Sequence, residues 1–163
     1  MSDSLGTYLK DHYAGSTLGV DLARRLEEEN AGDPKFADLL ARVAAEIEED
    51  RETLKAIMET LDVSTDPLKA GMAWATEKAS RLKMHGRSDL SRVLELESLL
   101  GGVEGKLGLW RALRLIAPSE PRLDASQTAE LFARAEHQIE VLRDLQGLAA
   151  EEAFAPGAVE HSA

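Results

Sequence analysis

Four ionisable side chains fall on helix faces that otherwise carry apolar residues. They are His12, Asp50, Glu97 and Glu104. In some helical bundles, carboxylates and imidazoles that project inward from facing helices bind a pair of iron or manganese ions. The four side chains therefore define one candidate metal site, provided that they converge in the folded chain.

The spacing along the chain argues against a complete two-metal site. Such sites use a Glu-x-x-His motif on two of the helices, and this sequence contains no such motif. Arg51 stands three residues after Glu48, and Leu100 stands three residues after Glu97. The alternative is structural, because arginine binds carboxylates through two parallel hydrogen bonds. We then expect Asp50, Glu97 and Glu104 to form partly buried ion pairs with Arg51, Arg111 and Arg143.

Glycines are unusually dense in the third helical segment, at Gly101, Gly102, Gly105 and Gly108. A phosphate-binding loop would need Ser or Thr directly after Lys106, and Leu107 stands there. Each glycine costs about 1 kcal/mol inside a helix, which indicates a reason in packing or in ligand binding. We expect Gly101, Gly105 and Gly108 to allow close helix packing or to leave room for a large neighbour. A ligand cavity on this face would have a volume of about 300 Å³ or more.

The overall composition narrows the range of partners and locations. The chain has a net charge of −11 and no cysteine. Its acidic surface disfavours nucleic acids and anionic membranes, and the lack of thiols excludes disulfides and thiolate ligands. The N-terminus does not have the pattern of a signal peptide. No apolar run is as long as a membrane span, which needs about 18 residues. We expect a cytoplasmic protein.

Apolar residues recur every three or four positions along most of the chain, which indicates amphipathic helices. The predicted helices cover about residues 5–30, 34–61, 67–116 and 126–153, and the third is broken near residues 85–89. Short links between the first three segments favour antiparallel neighbours. The sequence thus predicts an all-α, antiparallel four-helix bundle in one domain, 1–153, followed by a flexible tail, 154–163.

Four stretches carry a resemblance to a known family. They are Tyr8-Leu-Lys-Asp-His-Tyr-Ala, Ile47-Glu-Glu-Asp-Arg, Leu68-Lys-Ala-Gly-Met and Leu96-Glu-Ser-Leu-Leu-Gly-Gly-Val-Glu-Gly. Together they resemble the ferritin-like superfamily, in particular the small bacterial stress-associated ferritin-like proteins. The resemblance covers about residues 5–150 and implies the same bundle fold.

The resemblance also implies where metal ligands would stand. Metal-bearing members would have a glutamate at the position of Ser16, a histidine at that of Arg51, and a carboxylate or histidine at that of Leu100. Only Glu48 and Glu97 match the expected ligands. The resemblance therefore implies the fold together with a metal site that has been lost.

Taken together, the sequence predicts a ferritin-like helical bundle without catalysis and without a cofactor, which acts as an oligomeric structural, stress-related or binding protein. A homodimer is expected because the third helix is apolar on more than one face. Two alternatives stay open. One is a residual iron or manganese protein that uses the four ionisable residues, and the other is a carrier of an unknown small apolar ligand.

Overall fold

The computed structural model describes residues 3–66 and 88–155. Within these ranges the chain forms four long helices, α1 (Asp3–Asn30), α2 (Ala37–Thr60), α3 (Asp89–Ile116) and α4 (Ala125–Phe154). A short 3₁₀ helix, Ala117–Ser119, follows α3. The all-α prediction is confirmed for these residues, which include no strand. Residues 85–87 of the predicted break lie outside the described residues, as does most of the predicted tail.

The helices α3 and α4 begin close to their predicted positions, each at a capping side chain. Ser88 Oγ accepts a hydrogen bond from the backbone N–H of Ser91 at 3.2 Å. Asp124 Oδ1 accepts from the N–H groups of Ser126 and Gln127 at 2.8 and 3.1 Å. Such caps satisfy backbone donors that the first helical turn leaves without partners.

The helix α2 begins one turn later than predicted. Asp33 followed by Pro34 predicts a start at residue 34, whereas Ala37 is the first helical residue. The Asp33 side chain accepts from the N–H of Lys35 at 3.0 Å, and the Asp33 carbonyl accepts from the N–H of Phe36 at 3.0 Å. These bonds close a separate turn ahead of α2, with Phe36 fully buried.

Each helix packs against two neighbours among the described elements: α1 against α2 and α3, and α4 against α3 and α2. The helices α3 and α4 are antiparallel, because a residue later in α3 pairs with a residue earlier in α4. Arg92 pairs with Glu152 at 3.0 Å, and Glu104 pairs with Arg143 at 3.0 Å.

The helices α2 and α3 run in the same direction, because both are antiparallel to α4. Lys35, just before α2, pairs with Glu152 at 2.6 Å, and Glu49 pairs with Arg134 at 2.8 Å. The last residue of α2 and the first residue of α3 therefore lie at opposite ends of the molecule.

The apolar core consists of two clusters along the helix axes. One includes Leu22, Leu40, Leu96 and Leu142, and the other includes Leu9, Met58, Trp110 and Leu131. The apolar residues that follow helical spacing on α2 and at its two ends are all buried: Phe36, Leu40, Val43, Ile47, Leu54, Ile57, Met58 and Leu61. No described helix has a stretch long and apolar enough to cross a membrane.

Candidate functional site

A buried group of polar side chains lies between the two apolar clusters. Asp50 of α2 is 1% exposed, and both of its carboxylate oxygens bind cations. Lys106 of α3 donates to Oδ2, and Arg134 of α4 donates to Oδ1. Gln138 of α4 accepts from Lys106 Nζ at 2.6 Å and donates to Glu46 at 3.0 Å. We call Asp50, Lys106, Arg134 and Gln138 the core charge cluster.

The cluster joins three helices through charge-assisted hydrogen bonds, which are stronger than neutral ones. Burial lowers the pKa of Lys106, and the adjacent Asp50 carboxylate opposes this effect. Because a charge removed from water is stable only with a partner, Asp50 and Lys106 depend on each other for their burial.

A groove with a volume of about 860 Å³ opens beside this cluster, between α1, α2 and α3. Asp50 and Lys106 both contribute to its lining. Its walls are formed mainly by apolar side chains and by glycines of α1 and α3. The described lining residues of these two kinds include Leu18, Leu22, Ile47, Leu54, Leu99 and Leu109, together with Gly15, Gly19, Gly101, Gly102 and Gly105.

The glycines of α3 make no close contact with another described helix. A Cβ atom built at Gly101, Gly102, Gly105 or Gly108 would meet no atom of the described residues within 4 Å, and the same is true of Gly19 on α1. Of the two expectations for these glycines, room for a neighbour agrees better with this geometry than close packing between the described helices does. At Gly101, Gly102 and Gly105 the missing side chains widen the groove, whereas Gly108 does not line it.

Arg51 reaches the groove from α2. Its guanidinium lies 4.7 Å from the centre of the Tyr13 ring. The Nη1 atom donates to Glu52 at 3.1 Å, and Nη2 is 3.4 Å from the Thr17 hydroxyl. Neither bond engages Nε, which is buried.

Three residues of the groove bury a nitrogen donor that has no hydrogen-bond partner within the part of the chain that the structure describes. These atoms are Nε of Arg25, Nε of Arg51 and the indole Nε1 of Trp110. A buried donor without an acceptor costs about 1–3 kcal/mol. All three atoms are donors, so the group that would satisfy them is an acceptor.

His12 and Ser16 line the same groove from α1. Burial lowers the pKa of His12, with a smaller opposing effect of Asp11, so the imidazole is neutral at pH 7. The Tyr8 and His12 rings meet edge to face at 4.6 Å. The Ser16 hydroxyl donates to the backbone carbonyl of Tyr13 at 2.7 Å, which commits its hydrogen to its own helix.

The predicted inward position of Glu97 and Glu104 is wrong. Both are exposed, as is Arg111, because the line that joins these three residues lies on the outer side of α3. Glu97 accepts from Gln146 at 3.3 Å. Glu104 forms the predicted pair with Arg143 at 3.0 Å, but the two side chains are 50% and 61% exposed.

Asp50 is buried as predicted, but its partners differ from the prediction. It binds Lys106 and Arg134, and Arg51 binds Glu52 instead. The described residues include no group of three or more His, Cys, Asp or Glu side chains that could hold a metal ion. Since both Asp50 oxygens already bind cations, the donor set in this part of the chain does not fit iron or manganese.

Sequence reasoning missed Lys106 and Gln138, although their spacing carried a signal. Lys106 falls between Val103 and Trp110 in the three- and four-residue steps of the inward face of α3, and Gln138 falls between Ala135 and Leu142 on α4. A polar residue at such a position predicts a buried partner, and Asp50 supplies it for both.

Comparisons of the chain with models of protein families, with curated proteins and with solved structures found no match.

Proposed function

We propose that this chain is a non-catalytic, ferritin-like helical bundle that binds a small apolar ligand in the groove between α1, α2 and α3. The observation that carries the proposal is the groove of about 860 Å³, whose glycines face open space. Ligand pockets in proteins measure about 300–1,000 Å³ and are lined mainly by apolar groups with a few polar ones. The groove has both the size and the lining of such a pocket.

The ferritin-like part of the proposal draws support from the helix directions. Ferritin-like bundles have one long crossover connection. Here α2 and α3 point the same way, so the connection between them joins opposite ends of the molecule. The pairs α1 with α2 and α3 with α4 then correspond to the two antiparallel hairpins of that arrangement.

The non-catalytic part rests on how the polar groups are engaged. The Ser16 hydroxyl is bonded to a backbone carbonyl, and the Asp50 carboxylate is bonded to Lys106 and Arg134. A nucleophile needs a base that is free to take its proton, and these bonds leave neither group ready for that task. Binding without reaction fits the groove better.

The predicted homodimer is kept as part of the proposal. Exposed apolar side chains at the two ends of α3, Leu90 and Leu115, are consistent with it, because they are 44% and 69% exposed. A sedimentation experiment that finds a monomer at micromolar concentration would exclude the homodimer. The cytoplasmic location and a stress-related role stay predictions.

The test of ligand binding compares two glycine-to-leucine variants of α3. One substitution fills part of the groove, and the matched substitution lies outside the groove and serves as the control. Gly102→Leu places a side chain into the groove, and Gly108→Leu places the same side chain on the same helix outside it. Leucine favours helix more than glycine does, so both variants are expected to fold. The neutral, environment-sensitive dye Nile red serves as the apolar probe, and fluorescence titration gives its affinity.

We expect Gly102→Leu to weaken Nile red binding about tenfold or more, because the leucine occupies apolar volume that the dye would fill. Gly108→Leu should bind as the unchanged chain does. Equal binding by all three proteins, or no binding at all, would overturn the proposed function.

A further inference from the structure

The polar groups of the groove are concentrated toward one end. Along α1 its lining extends from Asp11 to Arg25, a length of about 20 Å at 1.5 Å per residue. His12 stands near the first end, and Arg51 and Lys106 join it from α2 and α3. The middle stretch is walled mainly by leucines and glycines, and a smaller set of polar residues, Asp21, Arg25 and Ser98, lines the second end. The groove thus has the outline of an amphiphile, with a polar head and a long apolar body.

Of the cations in the groove, Arg51 is the least committed to a protein partner. Lys106 is held by Asp50 and Gln138, and Arg25 pairs with Glu95 at 2.9 Å. Within residues 3–66 and 88–155, the carboxylate that pairs with Arg51 is that of Glu52, its neighbour in sequence, at 3.1 Å, and the Glu52 side chain is 59% exposed. An exposed ion pair of this kind is weak and is easily exchanged.

The geometry of Arg51 suits a carboxylate. Its Nε is buried without an acceptor, and its Nη2 makes only the long contact of 3.4 Å to Thr17. The guanidinium thus keeps hydrogen-bonding capacity that its protein contacts do not use, and its planar fork matches the two oxygens of a carboxylate. The Tyr13 ring, 4.7 Å from the guanidinium carbon, stabilises the group in place through a cation–π contact.

The acidic residues near the groove do not cancel this preference. Asp50 is neutralised by Lys106 and Arg134, and its oxygens are turned to them. Asp11 and Asp21 also line the groove, but both are exposed, so water and salt screen their charges. An anionic head placed at Arg51 therefore meets a partly buried cation at short range and competes there with the exposed carboxylate of Glu52.

On the basis of the proposed function, we infer that the groove takes an anionic amphiphile, a carboxylate with an unbranched alkyl chain. Its carboxylate binds the guanidinium of Arg51, and its chain lies along Gly102 and Leu18. The open positions of Gly101, Gly102 and Gly105 provide room for a flexible chain, where side chains would otherwise fill the groove.

The experiment compares three ligands that share one alkyl chain and differ in charge: dodecanoate, dodecan-1-ol and dodecylammonium. Each is titrated, below its micelle concentration, against the protein with Nile red bound, and displacement of the dye gives the affinity. The variant Arg51→Gln removes the charge. Arg51→Lys keeps the charge without the fork, and Arg42→Gln removes an exposed charge elsewhere on α2.

We expect dodecanoate to bind about tenfold more tightly than dodecan-1-ol, because a charge-assisted hydrogen-bonded pair is added to the same apolar contact. Arg51→Gln should abolish that advantage and leave the affinity for the alcohol within about twofold. Arg51→Lys should retain part of it, and Arg42→Gln should change nothing. The comparison of acid with alcohol on the unchanged chain needs no variant to fold.

Equal affinities for acid and alcohol would overturn the inference, as would tighter binding of dodecylammonium or an advantage of the acid that survives Arg51→Gln. If these ligands still displace the dye and Gly102→Leu still blocks them, the proposed function stands while the carboxylate assignment fails. If none of the three displaces the dye and Gly102→Leu has no effect, both fail.

Discussion

Helix α3 has two seams of opposite character. Toward α4 it is tightly packed, and Leu96 on α3 and Leu142 on α4 are both fully buried in the same apolar cluster. Along the groove it is open, and no described atom lies within 4 Å of a Cβ built at Gly102 or Gly105. The difference shows that one helix can secure the fold along one side and leave the other side free for a ligand.

The same contrast holds for charges. Asp50 is buried and is bonded to two cations from two helices. Glu104 makes a single pair with Arg143, and both side chains are mostly in water. Surface pairs contribute about 0–1 kcal/mol, whereas breaking a buried pair leaves a charge without a partner.

The largest effect is expected for Asp50→Ala, which leaves Lys106 buried without its anion. We expect the free energy of unfolding to fall by about 3–5 kcal/mol at pH 7, measured by urea denaturation. The loss should shrink at higher pH, where Lys106 can lose its proton. Glu104→Ala is the control and should cost about 1 kcal/mol or less. Equal losses for the two variants would contradict the distinction between buried and exposed charges.

The two seams should also differ when a leucine is shortened. Leu142→Ala opens a cavity on the packed side and should lower the free energy of unfolding by about 2–5 kcal/mol. Leu18→Ala lies in the open groove and is only half-buried, so its loss should stay near about 1 kcal/mol. Calorimetric or urea unfolding measures both. A loss at Leu18 as large as that at Leu142 would mean that the groove side is packed as well.

The all-helical class was predictable from patterns such as that of α2, which allows a single inward face. Phe36, Leu40, Val43 and Ile47 follow helical spacing, and charged residues occupy the opposite side. The start of α3 directly after its cap, Ser88, was predictable for a local reason, since the cap depends only on the residues next to it. The start of α2 was not predictable, because the turn at Asp33 takes the place of the first helical turn.

The site was less predictable because α3 is apolar on more than one face. Spacing alone placed Glu97 and Glu104 on one line, but it did not determine whether that line faced inward. Lys106, which points inward, lies within a glycine-rich stretch, where its neighbours suggested a phosphate-binding loop rather than a buried ion pair. The glycines showed where side chains are missing, but what lies opposite them depends on residues distant in sequence, such as Leu18 and Ile47.

A smaller effect of opposite sign is expected for Gly102→Ala and Gly105→Ala. Alanine favours helix over glycine by about 0.5–1 kcal/mol, and the added Cβ meets nothing within 4 Å at either site. Each variant should raise the midpoint of thermal unfolding, and the two gains should add. A fall in stability would show that these positions are in close contact and that the seam is closed.

The smallest effect concerns the pH dependence of stability at the polar end of the open seam. Burial lowers the pKa of His12 from its ordinary 6.5, and Asp11 partly opposes the shift. As pH falls below 6.5, the unfolded chain binds the proton first, so stability is lost between 6.5 and the folded-state pKa and is unaffected above 6.5. Urea midpoints from about pH 8 to about pH 5 should therefore fall more in the unchanged chain than in His12→Gln.

The control is His137→Gln, at an exposed position, and it should follow the unchanged chain. If His12→Gln also follows it, the imidazole is as well solvated in the groove as in the unfolded chain, and the polar end of the groove is more open than its burial indicates.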